Sequence, residues 1–277
     1  NKYPLPDLLK QLELSKSSYY YQESVKRKPD KYADIRNRIR LFFNENKKRY
    51  GYRRIYGLLK WEHITVSEKV VRQIMQEESL TVICKMRRKY NSYQGEISPS
   101  VPNKIQRNFH ADKPNQKWIT DITEFALPAG KVYLSVLVDC FDGLIPGWTI
   151  STTPDSVLVN TMLDQAIAHL PEGDRPLIHS DRGCHYRWPG WIERMEKAGL
   201  ERSMSKKGCS PDNAACEGLF GRLKNEMFYC QDWTSIKIAE FTDILNEYLL
   251  WYNTKRIKKL LGNMSPWEYR QSLGMVA

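Results

Sequence analysis

The feature that most constrains the fold is a change in hydrophobic periodicity at about residue 116. The stretch QKWITDITEFAL has apolar residues on both faces, Pro128-Ala129-Gly130 marks a turn, and KVYLSVLVDC follows as a second stretch of the same kind. Such runs are typical of strands that are buried on both faces. They predict a buried β-hairpin.

The segments after the hairpin alternate between strands and helices. A third strand is expected around 148–150, and residues 156–169 carry apolar residues at helical spacing. A short buried strand over 176–180 and a helix over about 188–198 come next. Three antiparallel strands followed by this alternation predict a mixed α/β sheet. A last helical block is expected over about 213–252.

The N-terminal part has the pattern of small exposed helices. Residues 4–22 and 32–49 place apolar residues at helical spacing between many charges. The next stretch predicts a helix over Tyr52–Lys60, a short turn, and a second helix after Ser67, which is a good N-cap residue. This order is a helix-turn-helix outline.

In a helix-turn-helix unit the second helix enters the major groove of DNA. Lys69, Arg72 and Gln73 are therefore candidate contacts to bases or phosphates, and Arg53 and Arg54 are candidate contacts to the DNA backbone. Spacing alone does not single out DNA, because two short helices joined by a turn occur in many proteins that do not bind it.

The distribution of charge favours a nucleic-acid partner. The net charge is +11, and residues 1–110 hold 24 Lys and Arg against 11 Asp and Glu, whereas residues 111–277 hold 19 against 21. A basic arm beside a nearly neutral body is typical of nucleic-acid binders, since phosphate neutralisation supplies much of their affinity. For any single basic run, a solvated surface remains the alternative reading.

Residues 84–115 read as a basic linker. Their Pro and Ser content argues against a regular element, and Arg87 and Arg88 are further candidate DNA contacts. The predicted organisation is a basic helical DNA-binding region at 1–83, this linker, and an α/β core with C-terminal helices at 116–277.

Composition excludes several classes of protein. The chain has no run of 18 apolar residues and no apolar stretch of signal-peptide type, so we expect a soluble, cytoplasmic protein without membrane contact. Six cysteines form no CxxC pair, which disfavours a zinc finger and predicts reduced thiols.

Two aspartates lie at positions where chemistry is expected. Asp121 is in the first strand on a face with Ile119 and Phe125, where an unpaired carboxylate has a substantial burial cost. Asp181 follows directly after the buried strand, and sites on open α/β sheets usually form at such strand ends. Taken alone, Asp121 would be assigned a structural, hydrogen-bonded role.

Glu217 begins a helix whose phase follows from the rotation of about 100° per residue. Asn213, Gly221 and Lys224 fall within roughly 40° of Glu217 on this helix. An apolar stripe centred roughly 110° away contains Cys216, Leu219, Phe220, Leu223 and Met227. One face of the helix is therefore expected to pack while another presents Glu217.

If this helix lies along the sheet edge, Glu217 meets Asp121 and Asp181. Three carboxylates repel one another unless divalent cations bind between them. Hard oxygen ligands favour Mg²⁺ or Mn²⁺, and two such ions per site serve phosphoryl transfer. Asp139 is the runner-up carboxylate, but a role in starting the turn at Asp142-Gly143 is favoured for it.

Five motifs occur in order along nearly the whole chain. WITDITEF, HSDRGCHY and SMSKKGCSPDNAACEGLFGRLKNE resemble the two aspartate motifs and the glutamate helix of OrfB-type transposases of the insertion-sequence three family. The 35 residues between Asp181 and Glu217 are the spacing typical of this family and of the similar retroviral integrases. WYNTKRIKKLLGNMSP resembles the family's C-terminal signature, and YGYRRIYGLLK resembles its helix-turn-helix domain.

The resemblance implies a ribonuclease H-like core that cleaves DNA at the terminal inverted repeats of an insertion sequence and joins the 3′-hydroxyls to target DNA. It implies that Asp121, Asp181 and Glu217 are the catalytic metal ligands, that Lys224 contacts DNA, and that Asn213 orients the site. Family members pair two transposon ends as oligomers, so self-association into a dimer or higher oligomer is implied as well. The resemblance also implies a bacterial protein that is associated with the nucleoid.

Two departures from the family pattern leave questions open. His185 stands where the family more often has glutamine, so no role is assigned to it. Asn1 is not methionine, and family members are often fused by frameshifting to an upstream helical segment. We therefore expect that part of the active protein is missing from this chain.

Two functions other than transposition are also compatible with parts of the sequence. The first is a transposase-derived DNA-binding protein without catalysis, which the intact acidic triad disfavours. The second is a ribonuclease H-like nuclease that cuts without joining, which the basic N-terminal region disfavours.

Overall fold

The structure, a computed structural model, describes residues 4–27, 30–82, 101–206, 210–229 and 231–275. The chain divides into two compact units, residues 1–82 and residues 83–277. Arg87 and Arg88, two of the predicted DNA contacts, lie outside the described residues.

The first unit is built from helices. They are α1 (Leu5–Gln11), α2 (Lys16–Arg27), α3 (Ala33–Glu45), α4 (Tyr52–Trp61) and α5 (Glu68–Glu77). Ile39, Phe42, Ile55, Leu59 and Val71 are among the side chains buried between α3, α4 and α5. The predicted helix pair is present, and its second helix begins after Ser67, whose side chain accepts a hydrogen bond from the backbone N–H of Val70.

The second unit is organised around one five-stranded mixed sheet. Its strands are β1 (Lys117–Leu127), β2 (Gly130–Asp139), β3 (Gly147–Ser151), β4 (Leu177–Ser180) and β5 (Glu201–Met204), and their order across the sheet is β3-β2-β1-β4-β5. β1, β2 and β3 are antiparallel, whereas β4 and β5 run parallel to β1 and to each other. The predicted mixed sheet is confirmed.

Helices cover both faces of this sheet. They are α6 (Ser156–Ala168), α7 (Pro189–Lys197), α8 (Ala214–Leu223), α9 (Ile238–Thr254) and α10 (Pro266–Ser272). Side chains alternate between the two faces of a strand. Accordingly Phe125 packs in the cluster that holds the buried residues of α8 and α9, and Trp118 packs in the cluster that holds those of α6 and α7.

The predicted single helical block over 213–252 is wrong in its middle part. α8 ends at Leu223, one wide π-helical turn follows over Lys224–Phe228, and α9 begins only at Ile238. Glu226 in this turn accepts hydrogen bonds from Arg256 and from the Tyr248 hydroxyl. These long-range polar contacts fix the wide turn, and helical periodicity carries no sign of them.

The predicted linker also differs from the structure in its second part. Residues 101–115 are described, and Ile105 and Ala111 are buried, with Ile105 packed in the cluster that contains β1 and α8 residues. The backbone N–H of Met204 in β5 donates to the carbonyl of Pro102. This segment therefore belongs to the second unit. Its proline and serine content did not predict these contacts, because residues 101–115 make them without forming a helix or a strand.

A search of the described residues for a helix long and apolar enough to cross a membrane found none.

Candidate active site

The parallel pairing of β1 and β4 brings two aspartates side by side. Thr120 of β1 is in register with Ser180 of β4. Asp121 is the next residue of β1, and Asp181 directly follows the end of β4. Parallel strands in register place equivalent residues next to each other. The two predicted aspartates therefore meet at one edge of the paired segment.

Glu217 reaches the same place from α8. The predicted apolar stripe of this helix is buried in the cluster that holds Ile119 and Phe125 of β1, whereas Glu217 is exposed. The charges of Asp181 and Glu217 both act on Asp121, where they raise its pKa. The structure therefore brings Asp181 and Glu217 within electrostatic reach of Asp121.

Burial and mutual repulsion shift the acidity of the two aspartates. Burial is the largest cause that raises the pKa of Asp121 to about 8, and Asp181 and Glu217 add to the rise. Burial also raises the pKa of Asp181, which a hydrogen bond from the Gly183 N–H opposes. Both shifts make the ionised form of these two carboxyl groups costly when no cation is bound beside them.

The donor atoms of the site fit a hard divalent cation. Among the described residues, no three His, Cys, Asp or Glu side chains are close enough to form a finished ligand set. The Asn213 amide nitrogen donates to Asp121 Oδ2 at 2.9 Å, and Asn213 Oδ1 is buried without a hydrogen-bond partner. Carboxylate oxygens with uncompensated charge, beside an unsatisfied amide oxygen, match the ligands that Mg²⁺ and Mn²⁺ take.

Comparisons with known proteins identify the family. Two integrase core domain models match residues 111–210 and 217–273, and a helix-turn-helix-like domain model matches residues 30–90. The chain is 40% identical over 273 residues to the InsK transposase of insertion sequence element IS150 of Escherichia coli K12, with 99% of this chain and 95% of that protein covered. The chain belongs to the insertion-sequence transposase family. This finding confirms the resemblance in the sequence motifs.

Two further transposases and one solved viral structure are also similar to this chain. The chain is 52% identical over 275 residues to a protein of Shigella flexneri named as a transposase for insertion sequence element IS1353, with 99% of this chain covered but only 54% of that protein. It is 30% identical over 229 residues to the InsF transposase of IS3A of Escherichia coli K12, which covers 82% of this chain and 78% of that protein. A solved structure of a simian T-cell lymphotropic virus intasome aligns over 76% of this chain and 73% of that chain, with 19% identity and a TM-score of 0.49.

Lys224, the predicted DNA-contacting lysine, is the first residue of the wide turn after α8. Its ammonium group donates to the carbonyl of Glu124 in β1 at 2.7 Å and lies 5.2 Å from the centre of the Phe125 ring. Burial lowers the pKa of Lys224. The structure thus holds Lys224 beside the strand that carries Asp121, and its contact with DNA stays a prediction.

Asp139, the runner-up carboxylate, has a structural role in this transposase fold. It is fully buried and accepts hydrogen bonds from Arg270 of α10 and from the backbone N–H groups of Asn115 and Phe141. Arg270 also donates to Asp142 at 2.6 Å. These contacts fasten α10 to the end of β2 and agree with the sequence-based preference against a catalytic Asp139.

The neighbours of the aspartates include one deeply buried tyrosine and one histidine. The Tyr186 hydroxyl lies 3.4 Å from Thr120 Oγ1, and burial, with a further contribution from Asp121, raises the pKa of Tyr186. The His185 ring packs edge-on against Trp188 at 4.6 Å, and burial lowers the pKa of His185. His185 Nδ1 is buried without a hydrogen-bond partner.

The candidate DNA contacts of the first unit lie on the predicted helices. Lys69, Arg72 and Gln73 are exposed on α5. Arg53 is exposed on α4 and its guanidinium lies 3.6 Å from a carboxylate oxygen of Glu68. Arg54, partly buried, lies over the ring of Tyr50 at 5.2 Å.

Sequence reasoning missed the buried polar residues that hold the start of α8. Asp212 and His179 are both nearly inaccessible to solvent and hydrogen-bond to each other through the Asp212 carbonyl. Each lies within two residues of a predicted site residue, Asn213 or Asp181. That adjacency was the available signal, but two of the side-chain partners of Asp212, Asn103 and Arg107, lie more than 100 positions away in the sequence.

Proposed function

We propose that the chain catalyses metal-dependent cleavage at the ends of an insertion sequence and transfers the resulting 3′-hydroxyl to another DNA strand. The observation that carries this proposal is the juxtaposition of Asp121 and Asp181 at neighbouring parallel strand positions, with the Glu217 charge acting on the same group. Asp121, Asp181 and Glu217 would hold two Mg²⁺ or Mn²⁺ ions. When bound, such ions activate the attacking oxygen and neutralise charge on the phosphate.

The chain's own residues position the DNA and the carboxylates. Asn213 orients the carboxylate of Asp121 through the hydrogen bond to Oδ2. Lys224, anchored on the Glu124 carbonyl, keeps its positive charge near β1 and binds a phosphate of the element end. α5 of the first unit reads the terminal repeat through its exposed Lys69, Arg72 and Gln73.

A further part of the proposal concerns assembly. Transposition needs both ends of the element at once, so we propose that active complexes contain at least two copies of the chain.

The direct test incubates the full chain with labelled element ends, a target plasmid and Mg²⁺, and maps the products. We expect end-specific nicks and labelled strands joined covalently to the plasmid through the 3′-hydroxyl. Nicks without joined products would favour a nuclease, and binding without any nick would favour a DNA-binding protein. Either outcome would contradict strand transfer.

We predict that binding of Mn²⁺ alone strengthens as the pH rises from about 6 to 8. The pKa of Asp121 is raised to about 8, so below that pH the carboxyl group keeps its proton, and binding of a cation must displace it. Affinity should rise by up to about tenfold per pH unit and level off above the pKa of Asp121. Titration calorimetry in buffers of different ionisation enthalpy would detect the released proton, and a flat affinity over this range would contradict the assignment.

We predict that Arg72→Ala weakens binding to DNA of different sequences and lowers the slope of log K against log salt by about 1, as expected for the loss of one phosphate contact. Arg40→Ala is the matched control, because the Arg40 guanidinium is already bound by both carboxylate oxygens of Glu78. Fluorescence anisotropy over a range of salt concentrations measures both slopes. An unchanged slope in Arg72→Ala would remove Arg72 from the DNA interface.

A further inference from the structure

The start of α8 is held by a clasp of three residues, Asn103, Arg107 and Asp212. Asp212 Oδ1 accepts from Arg107 Nε at 2.8 Å, and Asp212 Oδ2 accepts from Asn103 Nδ2 at 2.8 Å and from the backbone N–H of Lys206 at 3.0 Å. The Asp212 side chain is 3% exposed, whereas that of Arg107 is 57% exposed. A buried carboxylate with three donors has a fixed position.

A second chain of hydrogen bonds also joins residues 103–107 to Asp212. The carbonyl oxygen of Asp212 only accepts, so His179 Nε2 donates to it, at 3.0 Å. In the neutral ring, Nδ1 then accepts from the Ser203 hydroxyl at 2.8 Å, and Ser203 Oγ accepts from the backbone N–H of Lys104 at 2.9 Å. Residues 103–107 are thus tied to Asp212 both through its side chain and through its main chain.

The clasp lies directly beside the residues that complete the acidic site. Asn213 follows Asp212 and is the N-cap residue of α8, but its side chain makes no capping hydrogen bond and donates to Asp121 instead. Glu217 is four residues further along and shares the helix face of Asn213. The usual cap contact is absent. The hydrogen bonds to Asp212 therefore help to fix the first turn of α8, in addition to the packing of its apolar face.

We propose that Asn103, Arg107 and Asp212 are positioning residues that set Asn213 and Glu217 against Asp121 and Asp181. Residues 103–107, which precede the sheet, therefore help to set the geometry of the acidic site. This inference rests on the proposed function, because it presupposes that these carboxylates act together on divalent cations.

The test compares full-length Arg107→Ala and Asn103→Ala with the wild-type chain. Lys104→Ala is the matched control in the same segment, since it removes a surface ion pair with Glu201 but keeps the backbone donor to Ser203. Free Mn²⁺ is measured by electron paramagnetic resonance, and DNA affinity and strand-transfer rate are measured separately, well below the unfolding temperature. Arg107→Ala removes the cation that faces the buried Asp212 carboxylate, so circular dichroism checks that this variant folds, and Asn103→Ala changes no charge.

We expect both clasp variants to bind Mn²⁺ about tenfold or more weakly, with a similar loss in the rate of strand transfer, as for other residues that orient metal ligands. The DNA affinity of both clasp variants should match the wild type, and so should all measurements on the Lys104→Ala control.

Wild-type Mn²⁺ affinity in both variants would overturn the positioning role of the clasp and leave the proposed function intact. Reduced DNA affinity with unchanged Mn²⁺ affinity in Arg107→Ala would also overturn it, because Arg107 would then be a DNA contact. A wild-type chain that neither binds Mn²⁺ nor transfers strands would overturn the proposed function, and the clasp with it.

Discussion

Glu217→Gln is expected to reduce both DNA cleavage and strand joining by a factor of about 10³ or more, the scale seen when a group that stabilises the transition state is lost. The substitution keeps the size of the side chain and removes the charge that acts on Asp121. Binding of end DNA should stay close to wild type, because the predicted contacts to the element ends lie on other residues. Product gels at matched protein and Mg²⁺ concentrations measure the loss.

The variant should fold normally because α8 is held by its other face. Cys216, Leu219 and Leu223 are buried against the sheet, whereas Glu217 is exposed. Glu193→Gln, an isosteric change at an exposed position of α7, is the matched control and should retain full activity. Mg²⁺-dependent joining at the wild-type rate in Glu217→Gln would contradict the assignment of the triad.

Arg270→Ala is expected to lower the free energy of unfolding of the second unit by about 3–5 kcal/mol, as found when one partner of a buried ion pair is removed. Arg270 donates to Asp139 at 2.7 Å and to Asp142 at 2.6 Å, and both of these carboxylate side chains are fully buried. Its loss leaves two buried carboxylates without their cation and releases α10 from the end of β2. Urea unfolding followed by circular dichroism measures the change.

The control for this prediction is a surface ion pair in the same unit. Arg194 contacts Asp164 at 2.8 Å, but their side chains are 35% and 52% exposed. Exposed pairs contribute only about 0–1 kcal/mol, so Arg194→Ala should have a small effect. If the two variants destabilised the unit equally, the argument from burial would be wrong.

Local patterns predicted the parts of the fold that depend on neighbouring residues. The β1–β2 hairpin follows from two apolar runs joined by a turn, and α6 and the buried stripe of α8 follow from a periodicity of 3.6. Each of these patterns relates residues that are only a few positions apart. The same stripe gave the phase that presents Glu217. β5 was not located, because Glu201–Met204 is four residues long with two polar side chains buried or half-buried among them.

Long-range polar contacts could not be predicted in this way. Arg270 meets Asp139 across 131 positions and Arg107 meets Asp212 across 105 positions, and no periodicity relates such partners. These pairs determine why Asp139 is structural and how the start of α8 is held. The sequence therefore indicated which carboxylates are candidates, and the structure supplied the hydrogen bonds that separate a structural aspartate from one with uncompensated charge.

The most direct test of the acidic site is a crystal structure of the full chain soaked with Mn²⁺, with the ions located by anomalous scattering. Our account predicts anomalous peaks within ligand distance of Asp121, Asp181 and Glu217, with the Asn213 amide still beside Asp121. Peaks confined to other carboxylates, or no peak at these three residues at saturating Mn²⁺, would contradict it.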